Sequence, residues 1–266
     1  MRIFLLILVV LFVENNISAQ FTTKMTITHS AIVGDSFEIY TSLPKSFDAA
    51  KQYNVVYYCD ANLKSGRAIR NLLSFNQYDE KLANTIFVGI GHIGNYHVLR
   101  RRDFILPTIE GKDTAGKDKN YGQVENFYNF LKDELIPSVN ARFNTNQAKN
   151  SILGHSLGGL FAFYCLFKSD NLFAKYFALS PALWIDKYSI YKFNKIQGSL
   201  PGKKYLYFVS GGKEVMNHIR KGTNRAKHFL DEQKYGNLTY EYKIVKWKTH
   251  NSQVPITLKT IFDEKL

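Results

Sequence analysis

Two cysteines among 266 residues exclude a disulfide framework. Cys59 ends a strand-like run and Cys165 sits inside an apolar helical run, so both are expected as buried free thiols, and neither is placed to act as a nucleophile. The apolar run Ile3 to Val13 falls well short of the roughly 20 residues a spanning helix needs. Met1-Arg2 before it and Ile17-Ser18-Ala19 after it supply the basic and small-residue parts of a secretory signal peptide, with cleavage after Ala19. No cysteine at that point offers a lipid attachment site. The chain is therefore expected to be secreted or periplasmic, without a stable membrane anchor.

Acidic side chains are scarce, 22 against 35 Lys and Arg, which gives a net charge of +13. Loss of residues 1–19 removes one charge of each sign, Arg2 and Glu14, and leaves that excess unchanged. The basic residues are scattered apart from Arg100-Arg101-Arg102, and no interleaved aromatic motif accompanies them, so a nucleic-acid partner is not expected. Two readings stay open: a solvated basic surface, or an electropositive rim that attracts an anionic small molecule. No repeat and no linker divides residues 20–266, which read as one domain, while the polar stretch Glu110 to Gly122 reads as a mobile loop.

What is present centres on Gly154-His155-Ser156-Leu157-Gly158. At average Gly and Ser usage, G-x-S-x-G arises by chance in roughly one chain in ten of this length, so its flanks must carry the inference. They do. Ser151-Ile152-Leu153 before it is strand-like and Leu157 to Lys168 after it is helix-like, the setting of a nucleophile elbow that lifts the Ser156 hydroxyl clear of a sheet.

A nucleophilic serine needs a base and an orienting acid, which follow it in the order serine, acid, histidine when the elbow joins a strand to a helix in this way. The buried strand Lys204 to Ser210 ends at Gly211-Gly212 and places Glu214 on the following loop. A second strand, Leu238 to Val245, precedes the loop that carries His250. Asp186 is the alternative acid, and a Ser156–His250 dyad without an acid is a further one. Of the remaining histidines, His155 is expected to pack within the elbow, His218 and His228 to lie on a helix, His29 on an N-terminal strand, and His92 and His97 in a loop that could line a pocket. An oxyanion needs backbone donors: Leu157 after the nucleophile, and Ala61 or Asn62 after the strand Tyr53 to Tyr58. Asp60 is read either as a loop-fixing carboxylate or as a substrate contact. Arg101 and Arg102 are read as substrate clamps, and Trp184 as a pocket wall.

Strand-like runs near 53–58, 85–90, 150–154, 176–179, 204–210 and 238–245 alternate with helix-like ones near 63–75, 121–137, 157–168, 217–233 and 253–264. That alternation predicts an α/β fold with a mainly parallel sheet covered on both faces, and 22–42 as antiparallel strands at its start.

Several ordered motifs resemble the esterase family of the α/β-hydrolase fold that includes enterobactin (siderophore) esterases. Val56 to Asp60 is similar to its "YLLDG", Val88 to Gly91 to its "VGIG", and Arg101 to Pro107 to its "R-x-x-D-Y-T-P". Leu153 to Ala162 resembles the elbow, Ser180 to Trp184 the "S-P-S-L-W", and His250 to Pro255 the "H-x-S-V-x-P" that carries the family's histidine. Ala61 replaces the family's glycine, and Asp103 to Pro107 is one residue longer than its counterpart. The resemblance implies carboxylic ester hydrolysis through an acyl-enzyme, with siderophore (enterobactin-type) esters as first substrate and no metal or cofactor. A carbohydrate-ester (feruloyl or acetyl) esterase, an acyltransferase and a non-catalytic binding module are the alternatives.

Overall fold

The computed structural model describes residues 21–75, 82–107, 121–214 and 218–266. Eight strands among the described residues form one sheet in the order β1-β2-β4-β3-β5-β6-β7-β8. Strands β1 (Phe21–Ser30) and β2 (Asp35–Pro44) form an antiparallel hairpin, and β2 runs antiparallel to β4 (Thr85–His92). From β4 onward every pairing is parallel, through β3 (Asn54–Cys59), β5 (Ser151–His155), β6 (Lys175–Leu179), β7 (Ser199–Gly211) and β8 (Gly236–Val245).

The central strands are apolar without alternation because both of their faces are covered. In β3, Val55, Tyr57 and Cys59 enter one buried layer while Val56 and Tyr58 enter the other. Helices α1 (Lys64–Leu73) and α8 (Val254–Glu264) pack on the second layer through Ile69, Leu73, Leu258 and Ile261. The first layer takes α3 (Val124–Asn129), α4 (Ile136–Arg142), α5 (Leu157–Phe167) and α7 (Ile219–Gln233). Helix α5 is buried from Gly158 to Phe167, which accounts for its apolar character all round.

The expected strands and the hairpin at 22–42 are all present. The expected helix at 121–137 instead runs from Val124 to Arg142, with a π-helical stretch, Phe130–Leu135, between α3 and α4. Pro137 has no N–H to offer the preceding turn, and the wider π turn lies directly ahead of it. Helix α2 (Tyr96–Phe104) was not expected; it is capped by the Asn95 side chain, which accepts from the His97 N–H at 3.2 Å. A single turn, α6 (Ile185–Tyr188), has Asp186, Lys187 and Tyr188 in the left-handed region. The signal-peptide segment 1–19 lies outside the described residues, as does the expected loop at 110–122 apart from Tyr121 and Gly122.

Because β3 to β8 run parallel, Asp60, Ser156 and Ser180 follow strand ends at one edge of the sheet, where His92 ends β4, and the loops beyond β7 and β8 bring Glu214 and His250 to the same edge. Open parallel sheets collect ligands there.

Candidate active site

Ser156 joins β5 to α5 with φ 60° and ψ −114°, a strained conformation for a residue with a side chain. The backbone around it explains how the strain is held. Ser156 N–H donates to the Leu179 carbonyl at 2.9 Å, and its own carbonyl accepts from Leu160 and Ala182, each at 3.0 Å. A side chain at position 154 would meet the Gly158 carbonyl oxygen at 2.0 Å, so only glycine allows the turn to close. Leu157 is the first residue of α5, and its N–H has no partner among the described residues' hydrogen bonds. It sits at the positive end of the helix dipole.

His250 Nδ1 donates to Glu214 Oε1 at 2.5 Å. Glu214 is only 1% exposed, whereas the His250 side chain is 27% exposed and faces the cleft that Ser156 also lines. The second carboxylate oxygen of Glu214 accepts from Ser180 Oγ at 2.9 Å and from the Gly211 N–H. Lys213 N–H bonds the Lys248 carbonyl at 2.9 Å and Gly212 N–H the Val245 carbonyl at 2.8 Å, which ties the two loops together. Asp186, the alternative acid, lies elsewhere: both of its oxygens accept from Tyr121 Oη at 3.1 Å.

His155 Nε2 donates to the His250 backbone carbonyl at 2.9 Å, and the two rings lie 4.4 Å apart. Burial, with the neighbouring His250 and Arg100 charges, pushes its pKa down to about 3 and keeps the ring neutral. A neutral imidazole that donates here carries its proton on Nε2.

At the loop after β3, Ala61 N–H is committed to the Ile90 carbonyl at 2.9 Å, which removes it from the two expected donors. No hydrogen bond of the described residues uses the Asn62 N–H, and the Asn62 side chain holds the His92 carbonyl at 2.7 Å. Asp60 precedes both with φ 60° and is gripped by Arg100 through two bonds of 2.6 and 2.9 Å. Among the described residues no group of three His, Cys, Asp or Glu side chains could hold a metal ion, and no helix is long and apolar enough to cross a membrane.

Residues 30–250 match the family described as "Putative esterase". The chain belongs to this esterase family. The ferri-bacillibactin esterase BesA of Bacillus subtilis is 28% identical over 178 residues, 64% of this chain and 62% of BesA. A siderophore triacetylfusarinine C esterase of Aspergillus fumigatus is 36% identical over 102 residues, 37% of this chain and 34% of that protein. The chain thus spans less than two thirds of the length of these curated relatives. Among solved structures, the BES protein from Bacillus cereus superposes with a TM-score of 0.77 at 25% identity, covering 97% of both chains. The enterobactin and salmochelin hydrolase IroE gives 0.69 at 19% identity, covering 92% of this chain and 96% of its own. The fold is that of the α/β hydrolases.

In this chain two clefts meet at Ser156 and His250. One, of about 510 Å³, is lined by Asp60, Lys64, Tyr96, His97, Arg100 and His155. The other, of about 350 Å³, is lined by Arg101, Ile105, Ala182, Trp184, Ile185 and Ile219. Of the expected clamps, Arg101 is exposed at the rim of the second cleft, its guanidinium 5.1 Å from the centre of the Tyr121 ring. Arg102 is a correction. It is 7% exposed, lines neither cleft, and is consumed by Asp103 at 2.7 and 2.9 Å and by Asp35 at 2.7 Å. Asp103 also accepts a hydrogen bond from His92 Nε2 at 2.9 Å, so His92 is a buried structural group and lines neither cleft. Trp184 is 38% exposed in the second cleft, its ring 5.8 Å from that of His218. His228 is exposed on α7, and His29 lies on β1, 3.3 Å from Ser36 Oγ.

The sequence reading missed the partners behind the His250–Glu214 pair: Ser180, Gln253 and the donor role of His155. Ser180 stood inside a recognised motif, but nothing in the motif says which carboxylate its hydroxyl reaches.

Proposed function

We propose that this chain is a serine esterase that works through an acyl-enzyme. The observation that carries the reading is the buried Glu214 bonded to His250, beside the strained Ser156 at the mouth of both clefts. His250 takes the Ser156 proton as the hydroxyl oxygen attacks the ester carbonyl, and Glu214 steadies the imidazolium that results. The N–H groups of Leu157 and Asn62 hold the developing oxyanion. Collapse of the tetrahedral intermediate breaks the ester C–O bond, and the alcohol leaves with the proton from His250. Water, deprotonated by His250, then attacks the acyl-enzyme and releases the acid. No step calls for a metal or cofactor.

The substrate is a small anionic ester, with siderophore esters first. The names of the relatives support this, as do Lys64 and Arg101 at the two clefts. Residues 20–266 act as one catalytic domain, secreted or periplasmic after cleavage following Ala19. Fluorophosphonate labelling tests the mechanism, because only an activated serine reacts: a covalent adduct on Ser156 is expected, and an unlabelled wild-type chain would overturn the reading. A turnover screen on short p-nitrophenyl esters, feruloyl esters and enterobactin-type trilactones tests the substrate. Preference for feruloyl esters would replace the siderophore assignment.

A further inference from the structure

Gln253 occupies the residue just ahead of α8 and is 0% exposed, with its amide between the two halves of the proposed acid–base pair. Its Nε2 lies 3.1 Å from Ser180 Oγ and 3.4 Å from the His250 carbonyl, and its Oε1 accepts from Thr257 Oγ1 at 2.7 Å. Only one orientation of the amide fits. The His250 carbonyl can only accept, so the NH₂ group must face it. With an amide proton given to Ser180 Oγ, the serine's own proton is left to Glu214 Oε2, 2.9 Å away. That oxygen also accepts from the Gly211 N–H, which leaves Oε1 to His250 Nδ1. The His250 carbonyl, for its part, is held by both Gln253 and His155.

We infer that Gln253 is a positioning residue for the Glu214–His250 pair, orienting the carboxylate through Ser180 and the imidazole through the His250 carbonyl. The inference rests on the triad proposed above. The amide NH₂ group holds both partners while Thr257 fixes the Oε1 end, so loss of Gln253 frees the Ser180 hydroxyl to rotate and loosens the His250 loop at once. The Nε2 lone pair of His250 then no longer points steadily at the nucleophile, and a small misalignment of a catalytic group can cost about 100-fold in rate.

The experiment compares full-length wild type with Gln253→Met and Thr257→Val, by p-nitrophenyl acetate kinetics, the rate of fluorophosphonate labelling and the downfield His250 Nδ1–H proton resonance. For Gln253→Met, kcat and the labelling rate should fall roughly 10- to 100-fold, with KM within about twofold and the downfield resonance shifted or broadened. Thr257→Val, which frees the amide to turn, should move all three readouts the same way by less, and it carries the test if Gln253→Met does not fold. In a Glu214→Gln background, Gln253→Met should cost clearly less than in the wild type, because the route through Ser180 to the carboxylate is already lost and only the hold on the His250 carbonyl remains. Unchanged kcat in Gln253→Met, or a full additional loss in that background, would overturn the inference alone. Absence of labelling in the wild type would overturn the triad reading itself.

Discussion

The two clefts that meet at Ser156 are built on opposite principles. The larger is walled by charged and titratable groups, yet its most prominent pair, Arg100 and Asp60, is self-neutralised by two short bonds, and Asp60 is 1% exposed. The smaller is walled mainly by Ile105, Ala182, Trp184, Ile185 and Ile219, with Arg101 at its rim. Charge spent inside the wall shapes the cleft, whereas charge left at the rim is free to select a substrate. A count of basic residues cannot separate the two. The structure does, because Arg100, Arg101 and Arg102, consecutive in the chain, face a buried carboxylate, an aromatic rim and a buried ion network respectively.

The sharpest test acts where the clefts meet. Ser156→Ala should abolish hydrolysis of every ester, by a factor of order 10⁶ if it behaves as the subtilisin nucleophile does. The melting temperature should stay within a degree or two of wild type, because no core volume is removed. Retained turnover would detach the chemistry from both clefts. Glu214→Gln comes next, with kcat down by about 10⁴ as for the chymotrypsin aspartate. A loss below about tenfold would mean that Ser156 and His250 work as a dyad.

The larger cleft should then prove to be the fragile one. Arg100→Ala leaves Asp60 buried without its partner, and breaking a buried pair costs about 3–5 kcal/mol. Chemical denaturation should show that loss, while Trp184→Ala in the apolar cleft should cost far less. His155 adds an acid limit to the same wall. Its folded pKa of about 3 lies below an unfolded value near 6.5, so between those values the unfolded chain binds the proton and the folded chain does not. Stability should be steady above about pH 6.5 and fall as pH drops toward 3, by on the order of 4–5 kcal/mol. Substituting His155→Gln should flatten that slope; an unchanged slope would assign the acid sensitivity to other groups, such as the salt-bridged Asp35, whose pKa is lowered with Arg102 and Ser36 bonded to it.

Much of the candidate site's geometry was legible because its signals are local. The elbow is five residues with strand and helix flanks, and Glu214 and His250 each follow a strand by a few residues. What stayed hidden was long-range. Helix α2 has no apolar stripe over Tyr96 to Phe104; it is held by Arg100 on Asp60, 40 residues away, and by Arg102 on Asp35, 67 residues away. Ser180 meets Gln253 across 73 residues. Which of Ala61 and Asn62 keeps an uncommitted N–H turned on which one the neighbouring strand consumes, and that follows from the sheet order, with β4 beside β3.

The smallest effect separates the clefts by charge. Lys64 is exposed in the larger cleft and forms no ion pair among the described residues, and Arg101 is exposed at the rim of the smaller one. If an anionic substrate reaches across Ser156, Lys64→Ala and Arg101→Ala should each raise its KM about two- to fivefold, the size expected of a solvent-exposed pair at about 0.5–1 kcal/mol. A neutral p-nitrophenyl ester should be unaffected by either change. Added salt should erase the difference between wild type and variant, because the screening length is already about 8 Å at physiological ionic strength and shortens further. A response confined to Arg101→Ala would place the substrate's charge on the apolar side, and one confined to Lys64→Ala on the polar side. Equal losses on neutral and anionic esters would give both cations a structural role, with Arg101 serving to hold Tyr121 and, through it, Asp186 on α6.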